Sequence, residues 1–267
     1  MIPYPFQYRR AKSLADAEAM MAATPGAKLL AGGQTLIAAM KMRLASPPEL
    51  IDISGLKELS VIRTEGRMLS IGAGTSHETV ATSEIVMRAI PALARLAEGI
   101  GDPAVRHMGT IGGSIANNDP AADYPAAALA LGATVKTTRR SIPADEFFTG
   151  MFSSALDEDE ILTEIVFPAP ERAGYCKFRN PASRYAMPGV FVARDNSGVR
   201  VAVTGAGPCV FRVKEMEVAL GNNFAPTAVL SIRVDPAELM SDIHASAEFR
   251  AHLVTVMAGR AVTEALA

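Results

Sequence analysis

The fold of this 267-residue chain is decided by two stretches, Lys28-Leu29-Leu30-Ala31-Gly32-Gly33-Gln34-Thr35 and Gly109-Thr110-Ile111-Gly112-Gly113-Ser114-Ile115-Ala116-Asn117-Asn118-Asp119-Pro120. Each stretch pairs adjacent glycines with hydroxyl or amide side chains and adjoins an apolar run. Glycine admits positive φ and lets backbone N–H groups approach a ligand with no Cβ in the way. N–H groups clustered in such turns form concavities that bind anions. Two of them predict a large phosphate-bearing cofactor held from two sides.

Composition excludes several classes of protein. The formal net charge is −2 and there is no basic run, which argues against a nucleic-acid surface. No stretch approaches the roughly 20 apolar residues that a membrane span needs, and the start of the sequence lacks a signal-peptide pattern. The only cysteines, Cys176 and Cys209, are far apart, which indicates a reducing cytoplasm rather than a disulfide framework. The four histidines show no metal-ligand spacing, so we expect no zinc or iron–sulfur centre in this chain.

The pattern of apolar runs and turn residues predicts an α+β chain in three successive blocks: residues 1–55, 56–168 and 169–267. The first block reads as a helix over 14–23 capped by Ser13, a strand over 28–31, the glycine turn, a helix over 35–44 and a strand over 49–53. The second reads as a hairpin of 60–63 with 67–71, a capping box at Thr75 and Glu78, helices over 91–100 and 126–131, and strands over 133–138 and 160–167.

The proline-rich run Pro168-Ala169-Pro170 is the best boundary before the third block. Strands are predicted there over 175–178, 190–193, 199–204 and 230–234, and helices over 213–220 and 247–265. In the last helix Leu253, Val254, Met257 and Ala258 have core-facing spacing. We therefore expect the neighbouring histidine and arginine side chains of that helix at the surface.

Neither glycine stretch matches a common nucleotide fingerprint. The first lacks the GxGxxG spacing of a dinucleotide fold, and the chain contains no GxxxxGK[ST] phosphate loop. On its own the first stretch leaves open a simple tight strand-to-helix connection, since Gly-Gly is a common turn dipeptide. The second resists that reading, because polar groups set among apolar neighbours need partners, which a bound cofactor would supply.

Acidic residues close the second stretch. Asp119 and Asp123 resemble a paired-carboxylate site, but Pro120 and Pro125 break the helix that would align them. Asp123 is expected to accept hydrogen bonds from sugar-alcohol hydroxyls, and Asp119 to cap or stabilise the turn. His107 is expected to be a loop or packing residue. We predict no catalytic side chain and no metal ligand.

The chain resembles a known family. The residues that carry the resemblance are Ala31-Gly32-Gly33-Gln34-Thr35 with Met40-Lys41-Met42-Arg43, and Thr110-Ile111-Gly112-Gly113-Ser114 with Asn117-Asn118-Asp119-Pro120-Ala121-Ala122-Asp123-Tyr124-Pro125. Together they are similar to the FAD-binding medium subunit of molybdenum hydroxylases, the family of carbon monoxide dehydrogenase and xanthine dehydrogenase. The resemblance covers nearly the whole chain and includes the 161–165 strand and the start of the third block at Lys177-Phe178-Arg179.

The resemblance implies a two-part FAD-binding domain of the PCMH type followed by a smaller C-terminal α+β domain. It places the 29–35 stretch at the FAD pyrophosphate and ribityl chain, the 110–114 stretch in a second clamp and Asp123 at ribityl or ribose hydroxyls. It places Leu162 at the cofactor through backbone groups, Lys177 toward the flavin ring and Tyr185 beside it. The full set implied to bind the cofactor is Leu29, Leu30, Ala31, Gly32, Gly33, Gln34, Thr35, Thr110, Gly112, Gly113, Ser114, Asn117, Asp123, Leu162, Lys177 and Tyr185.

The implied activity is electron transfer. Substrate would be oxidised at a molybdopterin centre on a large subunit, and electrons would cross two [2Fe-2S] clusters on a small subunit to FAD on this chain and then to an external acceptor. The expected assembly is a heterotrimer, dimerised, in the cytoplasm. Two alternatives stay open: a stand-alone FAD-dependent oxidoreductase of the same fold, and a non-catalytic nucleotide-binding assembly protein.

Overall fold

The computed structural model describes residues 2–267. Its strands are β1 (Gln7–Arg10), β2 (Lys28–Leu30), β3 (Glu49–Asp52), β4 (Ile62–Glu65), β5 (Met68–Gly72), β6 (Thr134–Thr137), β7 (Ser141–Pro143), β8 (Phe148–Gly150), β9 (Ser153–Ser154), β10 (Leu162–Pro168), β11 (Arg172–Arg179), β12 (Ala186–Asp195), β13 (Gly198–Thr204) and β14 (Phe211–Arg212). Its α-helices are α1 (Leu14–Ala23), α2 (Leu36–Lys41), α3 (His77–Thr82), α4 (Glu84–Ala89), α5 (Pro91–Glu98), α6 (Pro103–Met108), α7 (Ile111–Asn117), α8 (Tyr124–Ala130), α9 (Ala144–Phe147), α10 (Lys214–Asn222) and α11 (Ala247–Leu266).

Three larger sheets follow one another along the chain. The first is parallel, in the order β1-β3-β2. The second is antiparallel, in the order β4-β5-β10-β6-β7, and the third, also antiparallel, is β11-β12-β13-β14. The predicted α+β class is confirmed. The proposed domain limits at residues 55 and 168 stay a prediction, although each of these three sheets lies within one of the blocks.

The first glycine stretch joins β2 to α2, in the predicted order of strand, turn and helix. The helix ends at Lys41 rather than at residue 44, because Arg43 adopts a left-handed φ of +62°. The Arg43 N–H donates to the Met40 carbonyl and the Leu44 N–H to the Ala39 carbonyl. This pair of bonds is the Schellman arrangement that satisfies the last carbonyls of a helix.

The capping residue of α3 was predicted one position too early. Ser76, not Thr75, caps the helix, since its Oγ accepts from the Thr79 N–H at 3.1 Å. The Thr75 N–H is instead bonded to the Gly72 carbonyl in the turn after β5. Glu78 pairs with Arg106 on α6 at 2.9 Å, so it does not close a capping box.

The third sheet packs against α11, and two predictions fail here. Residues 230–234 form no strand; the Ile232 N–H closes a turn onto Val229, and the Ile232 carbonyl accepts from Thr255 on α11. Arg250 is only 3% exposed, whereas His252 and Arg260 are at the surface as expected. Two of its guanidinium nitrogens are bonded inside the fold: Nη1 donates to the Gly205 carbonyl at 2.6 Å and Nη2 to Asp242 at 2.7 Å, whereas the buried Nε has no partner among residues 2–267.

The wholly buried helix α8 lies against β12 and β13, so the second and third sheets share one hydrophobic core. Thr204, at the end of β13, hydrogen-bonds through Oγ1 to the carbonyls of Pro120 at 2.9 Å and Ala122 at 2.7 Å. The Gly205 N–H adds a bond to Pro120 at 2.7 Å. The third sheet thereby fixes the loop that leads from the second glycine stretch into α8. No helix in residues 2–267 has the length and apolar character needed to span a membrane.

Candidate cofactor site at the two glycine stretches

The two glycine stretches meet in space. A Cβ built on Gly32 would overlap the Met108 carbonyl, lying 2.7 Å from its carbon and 2.8 Å from Cα of Gly109. Only glycine fits at residue 32, because the obstructing atoms are backbone. The turn after β2 is therefore pressed directly onto the start of the second stretch, as the prediction of a two-sided clamp requires.

The first turn presents a row of free donors. Among residues 2–267, the N–H groups of Gly32, Gly33, Gln34 and Thr35 have no hydrogen-bond acceptor. Gly33 has φ +70°, and Gln34 and Thr35 are exposed. Thr35 precedes α2 without capping it through its side chain. Successive unpaired N–H groups in one turn form an anion-binding concavity, so this turn fits a phosphate group.

The second stretch is a short helix, not the donor loop predicted from its glycines. The backbone N–H groups of Gly112, Gly113 and Ser114 are all used within the chain: Gly112 donates to the Ala73 carbonyl, Gly113 to the Thr110 hydroxyl and Ser114 to the Thr110 carbonyl. Gly112 packs tightly, because a Cβ there would lie 2.8 Å from Cα of Ala73. Gly113 is exposed, and a Cβ there would meet only Thr110. What this stretch offers a ligand is an open backbone face at Gly113 and the half-buried side chains of Ser114 and Asn117.

His77 supports the second stretch from below and was missed by sequence reasoning. Its N–H donates to the Gly109 carbonyl at 2.9 Å, and a Cβ at Gly109 would lie 2.6 Å from its Nε2. Its ring lies 5.4 Å from that of Tyr124. Burial, with a smaller contribution from the nearby charge of Arg106, lowers the pKa of His77 to about 4. The imidazole is thus a neutral packing group at physiological pH.

Asp123, Tyr175 and Lys177 form a buried cluster at the start of α8. The Tyr175 hydroxyl donates to Asp123 Oδ1, and Lys177 Nζ lies 2.8 Å from Oδ1 and 3.0 Å from Oδ2. The side chains of Asp123 and Lys177 are only 4% and 3% exposed. Burial raises the pKa of Asp123, and the charge of Lys177 and the hydrogen bonds from Lys177 and Tyr175 oppose that rise. Lys177, expected near a flavin ring, is thus held by a carboxylate.

Tyr185 lines a cavity of about 230 Å³ beside the end of the second glycine stretch. The side chain is 44% exposed, and burial followed by the charges of Asp119 and Asp123 raises its pKa. Asp119 also borders this cavity, and its Oδ1 accepts from the Ala121 N–H, which is the turn-stabilising role predicted for it. His107 was predicted to be a loop or packing residue; it is instead an exposed residue in the last turn of α6, where its Nδ1 bonds the Pro103 carbonyl.

The residues predicted to bind the cofactor thus lie in two groups. The 29–35 and 110–117 stretches make one group, and Asp123, Lys177 and Tyr185 lie around the start of α8. Leu162 is buried at the start of β10, where the carbonyl of its neighbour Thr163 accepts from the Ala73 N–H. Ala73 in turn accepts from Gly112, so β10 supports the second stretch. Residues 2–267 contain no cluster of three or more His, Cys, Asp or Glu side chains able to hold a metal ion.

A turn with free N–H groups, an open helix start at Gly113 and a buried carboxylate are features that fit a phosphate-bearing cofactor with hydroxyl groups, and they characterise a cofactor-binding class of protein. Residues 4–170 match the family described as the FAD binding domain in molybdopterin dehydrogenase. The chain is 37% identical to the carbon monoxide dehydrogenase medium chain of Hydrogenophaga pseudoflava over 100% of this chain and 97% of that one. It is 33% identical to the nicotine 6-hydroxylase medium subunit of Paenarthrobacter nicotinovorans, over 97% and 96%.

Solved structures agree with the sequence comparison. The carbon monoxide dehydrogenase of Hydrogenophaga pseudoflava that lacks the Mo-pyranopterin moiety of its molybdenum cofactor contains a chain with a TM-score of 0.91 and 36% identity, covering 100% of this chain and 99% of that one. The chain belongs to the FAD-binding medium-subunit family of the molybdenum hydroxylases.

Proposed function

We propose that this chain is the electron-transfer subunit of a heteromeric molybdenum hydroxylase, and that it passes electrons from a partner's iron–sulfur clusters to an external acceptor by way of FAD. The observation that carries the proposal is the turn of free N–H groups at Gly32–Thr35, pressed against the second glycine stretch. Membership in a family of FAD-binding medium subunits supplies the identity of the phosphate-bearing ligand.

Each part of the site has a separate task in this proposal. The N–H groups of Gly32 to Thr35 hold the pyrophosphate, and Asp123 accepts hydrogen bonds from cofactor hydroxyls. Lys177 and Tyr185, on the C-terminal side, lie toward the flavin ring, and the remaining predicted residues of the 29–35 and 110–117 stretches and Leu162 line the cofactor. When bound, FAD supplies the capacity to accept and release electrons. The chain's own groups hold the cofactor, exclude water at the buried Asp123 and set the charge around it.

Two observations support the proposed partners: the scarcity of cysteine in this sequence and the names of its relatives. A [2Fe-2S] cluster takes four protein ligands, usually cysteines, whereas this sequence has two cysteines, far apart. Cys176 and Cys209 are both free. We infer a small iron–sulfur subunit and a large molybdopterin subunit, combined with this chain in a heterotrimer that dimerises in the cytoplasm.

The test is purification of the native complex through a tag on this chain, followed by subunit identification and assay for flavin, iron and molybdenum. We expect two partners, one of them rich in cysteine, and one FAD for each copy of this chain. A chain that purifies alone and turns over a substrate with its own FAD would instead support a stand-alone oxidoreductase. A colourless chain that stays so after incubation with FAD would support a non-catalytic assembly protein.

A further inference from the structure

Tyr175 is the one member of the buried cluster for which the family comparison and the glycine stretches give no role. It lies two residues before Lys177 on β11, and alternate residues of a strand point to the same face. Both side chains consequently reach the same carboxylate, Asp123, across the boundary between the second and third sheets. Tyr175 is 8% exposed, so its hydroxyl has no competing solvent partner.

The carboxylate of Asp123 is free to take this position because the helix does not use it. Asp123 occupies the N-cap position of α8, where an aspartate ordinarily accepts from the second or third N–H of the helix. Here it makes no such bond. The second helical residue is Pro125, which has no N–H to donate, and the N–H of the third, Ala126, is bonded to the main-chain carbonyl of Asp123. The Asp123 carboxylate therefore does not cap α8, and it bonds Tyr175 and Lys177 on β11 instead.

The opposite strand leaves room for the Tyr175 hydroxyl. Gly189 on β12 pairs with Lys177, and a Cβ built on Gly189 would overlap the hydroxyl and lie 3.0 Å from the ring carbon that carries it. The Tyr175 ring is held separately by Phe191, at 6.0 Å between ring centroids. Packing and hydroxyl placement are thus controlled by different residues, and removal of the hydroxyl alone leaves the ring contacts in place.

We propose that Tyr175 is a positioning residue of the cofactor site: its hydroxyl fixes the Asp123 carboxylate so that Asp123 holds Lys177 while its remaining lone pairs face the cofactor hydroxyls. A carboxylate accepts about four hydrogen bonds, and the protein supplies donors from two side chains only. The inference rests on the proposed function, in which Asp123 contacts FAD.

The electrostatics agree with this geometry. A buried carboxylate is costly unless it is paired and hydrogen-bonded. Burial raises the pKa of Asp123, and Tyr175 is one of the groups that oppose the rise. The charged and titratable groups that interact with Asp123 are Tyr175, Lys177 and Arg179 on β11, Tyr124 on α8, and Tyr185, which also interacts with Asp119.

The experiment compares Tyr175→Phe with the wild-type full chain, measuring the FAD dissociation constant by flavin fluorescence from pH 5 to pH 9. Loss of a hydrogen bond to a charged group weakens binding by about tenfold or more. We also expect the carboxyl inflection in the pH profile to move to higher pH in the variant, which loss of packing would not produce. Tyr8→Phe is the matched control, since Tyr8 donates to Asp52 on β3 in the same way, and it should change neither quantity.

The second part of the test compares the single variant Asp123→Asn with the double variant Asp123→Asn, Tyr175→Phe. Neither variant leaves a carboxylate buried without its hydrogen-bond donor. In the Asp123→Asn background, Tyr175→Phe should have no further effect on FAD affinity or on its pH profile. A Tyr175→Phe chain that binds FAD with wild-type affinity and an unmoved inflection overturns the inference and leaves the proposed function standing. A wild-type chain that binds no FAD overturns the proposed function instead.

Discussion

Gly32 and Met108 touch backbone to backbone, so the turn after β2 and the end of α6 are in contact without any side chain between them. We expect Gly32→Ala to force the two stretches apart, because neither the carbonyl nor the Cα that the new methyl meets can rotate away. The free energy of unfolding should fall by about 3 kcal/mol, and the purified chain should lose its FAD. Urea denaturation and the ratio of flavin absorbance to protein absorbance measure the two effects.

Gly221→Ala is the control for that substitution. Gly221 lies in α10 with ordinary φ, and nothing lies within 4 Å of the position a Cβ would take. Alanine is favoured over glycine in a helix by about 1 kcal/mol, so this variant should be as stable as the wild type or more so. If Gly32→Ala behaves like Gly221→Ala, the contact of the two stretches is not required for the fold.

Because Asp123 and Lys177 are paired and buried, we expect replacement of Lys177 alone to destabilise the fold strongly. Lys177→Met leaves a buried carboxylate without its cation and should lower the free energy of unfolding by about 4 kcal/mol at neutral pH. Consider an acid whose pKa is higher in the folded chain than in the unfolded chain. Its contribution to stability is fully present below the unfolded pKa and is lost as the pH rises through the folded pKa. The deficit of Lys177→Met should accordingly shrink as the pH is lowered toward 4.

Adding Asp123→Asn to Lys177→Met should restore much of the loss, since no charge is then left buried. Denaturation of the four chains as a double-mutant cycle isolates the interaction of the two groups. Additive effects would mean that the two side chains do not interact in solution.

His77 predicts a dependence of stability on pH. Its pKa falls from 6.5 to about 4 on folding, so between these values the unfolded chain binds a proton that the folded chain does not. Stability should therefore be greatest above pH 6.5 and fall as the pH is lowered toward 4. This contribution is at most about 3 kcal/mol.

His77→Gln removes the titrating group. Thermal or urea denaturation from pH 4 to pH 8 should show a shallower slope for the variant than for the wild type. Equal slopes would show that folding does not lower the pKa of His77.

Thr204 predicts that the third sheet fixes the loop before α8. Thr204→Val keeps the shape of the side chain and removes the hydroxyl that bonds the Pro120 and Ala122 carbonyls. The free energy of unfolding should fall by about 2 kcal/mol, and FAD affinity should fall because Asp123 follows this loop. Thr82→Val, which removes an exposed hydroxyl from the end of α3, should leave FAD affinity at the wild-type value.

The sequence predicted the parts of this site that local chemistry determines. A short apolar strand, a glycine pair and a helix-forming run give β2, the turn and α2 without reference to the rest of the chain. The use of the Gly112 donor was not predictable in this way, because its acceptor is the Ala73 carbonyl, which is distant in sequence. Gly113 and Ser114 donate to Thr110, the N-cap of α7, and that local capping signal was overlooked. Glycines indicate close approach of a backbone without saying whether a ligand or the protein itself approaches.

The Tyr175–Asp123 contact was also not predicted, because it is a long-range pairing. The bond from Tyr175 to Asp123 depends on how the third sheet packs against α8, and no spacing in the sequence encodes it. Arg250 is different, since it precedes Val254, Met257 and Ala261 at intervals of four, seven and eleven residues and so lies on the buried face of α11. Periodicity alone would have placed it there, and only its charge argued for the surface.

The bonds from Thr204 and Gly205 to Pro120, and from Tyr175 and Lys177 to Asp123, all originate beyond residue 170, where the family match ends. Every glycine of the two stretches lies before that point. A fragment cut at the family boundary would therefore keep the phosphate turn and lose the groups that hold the Asp123 loop. For protein engineering, the cofactor-binding half is not a transplantable module, and a chimaera that retains FAD has to carry the strands β11 to β13 with it.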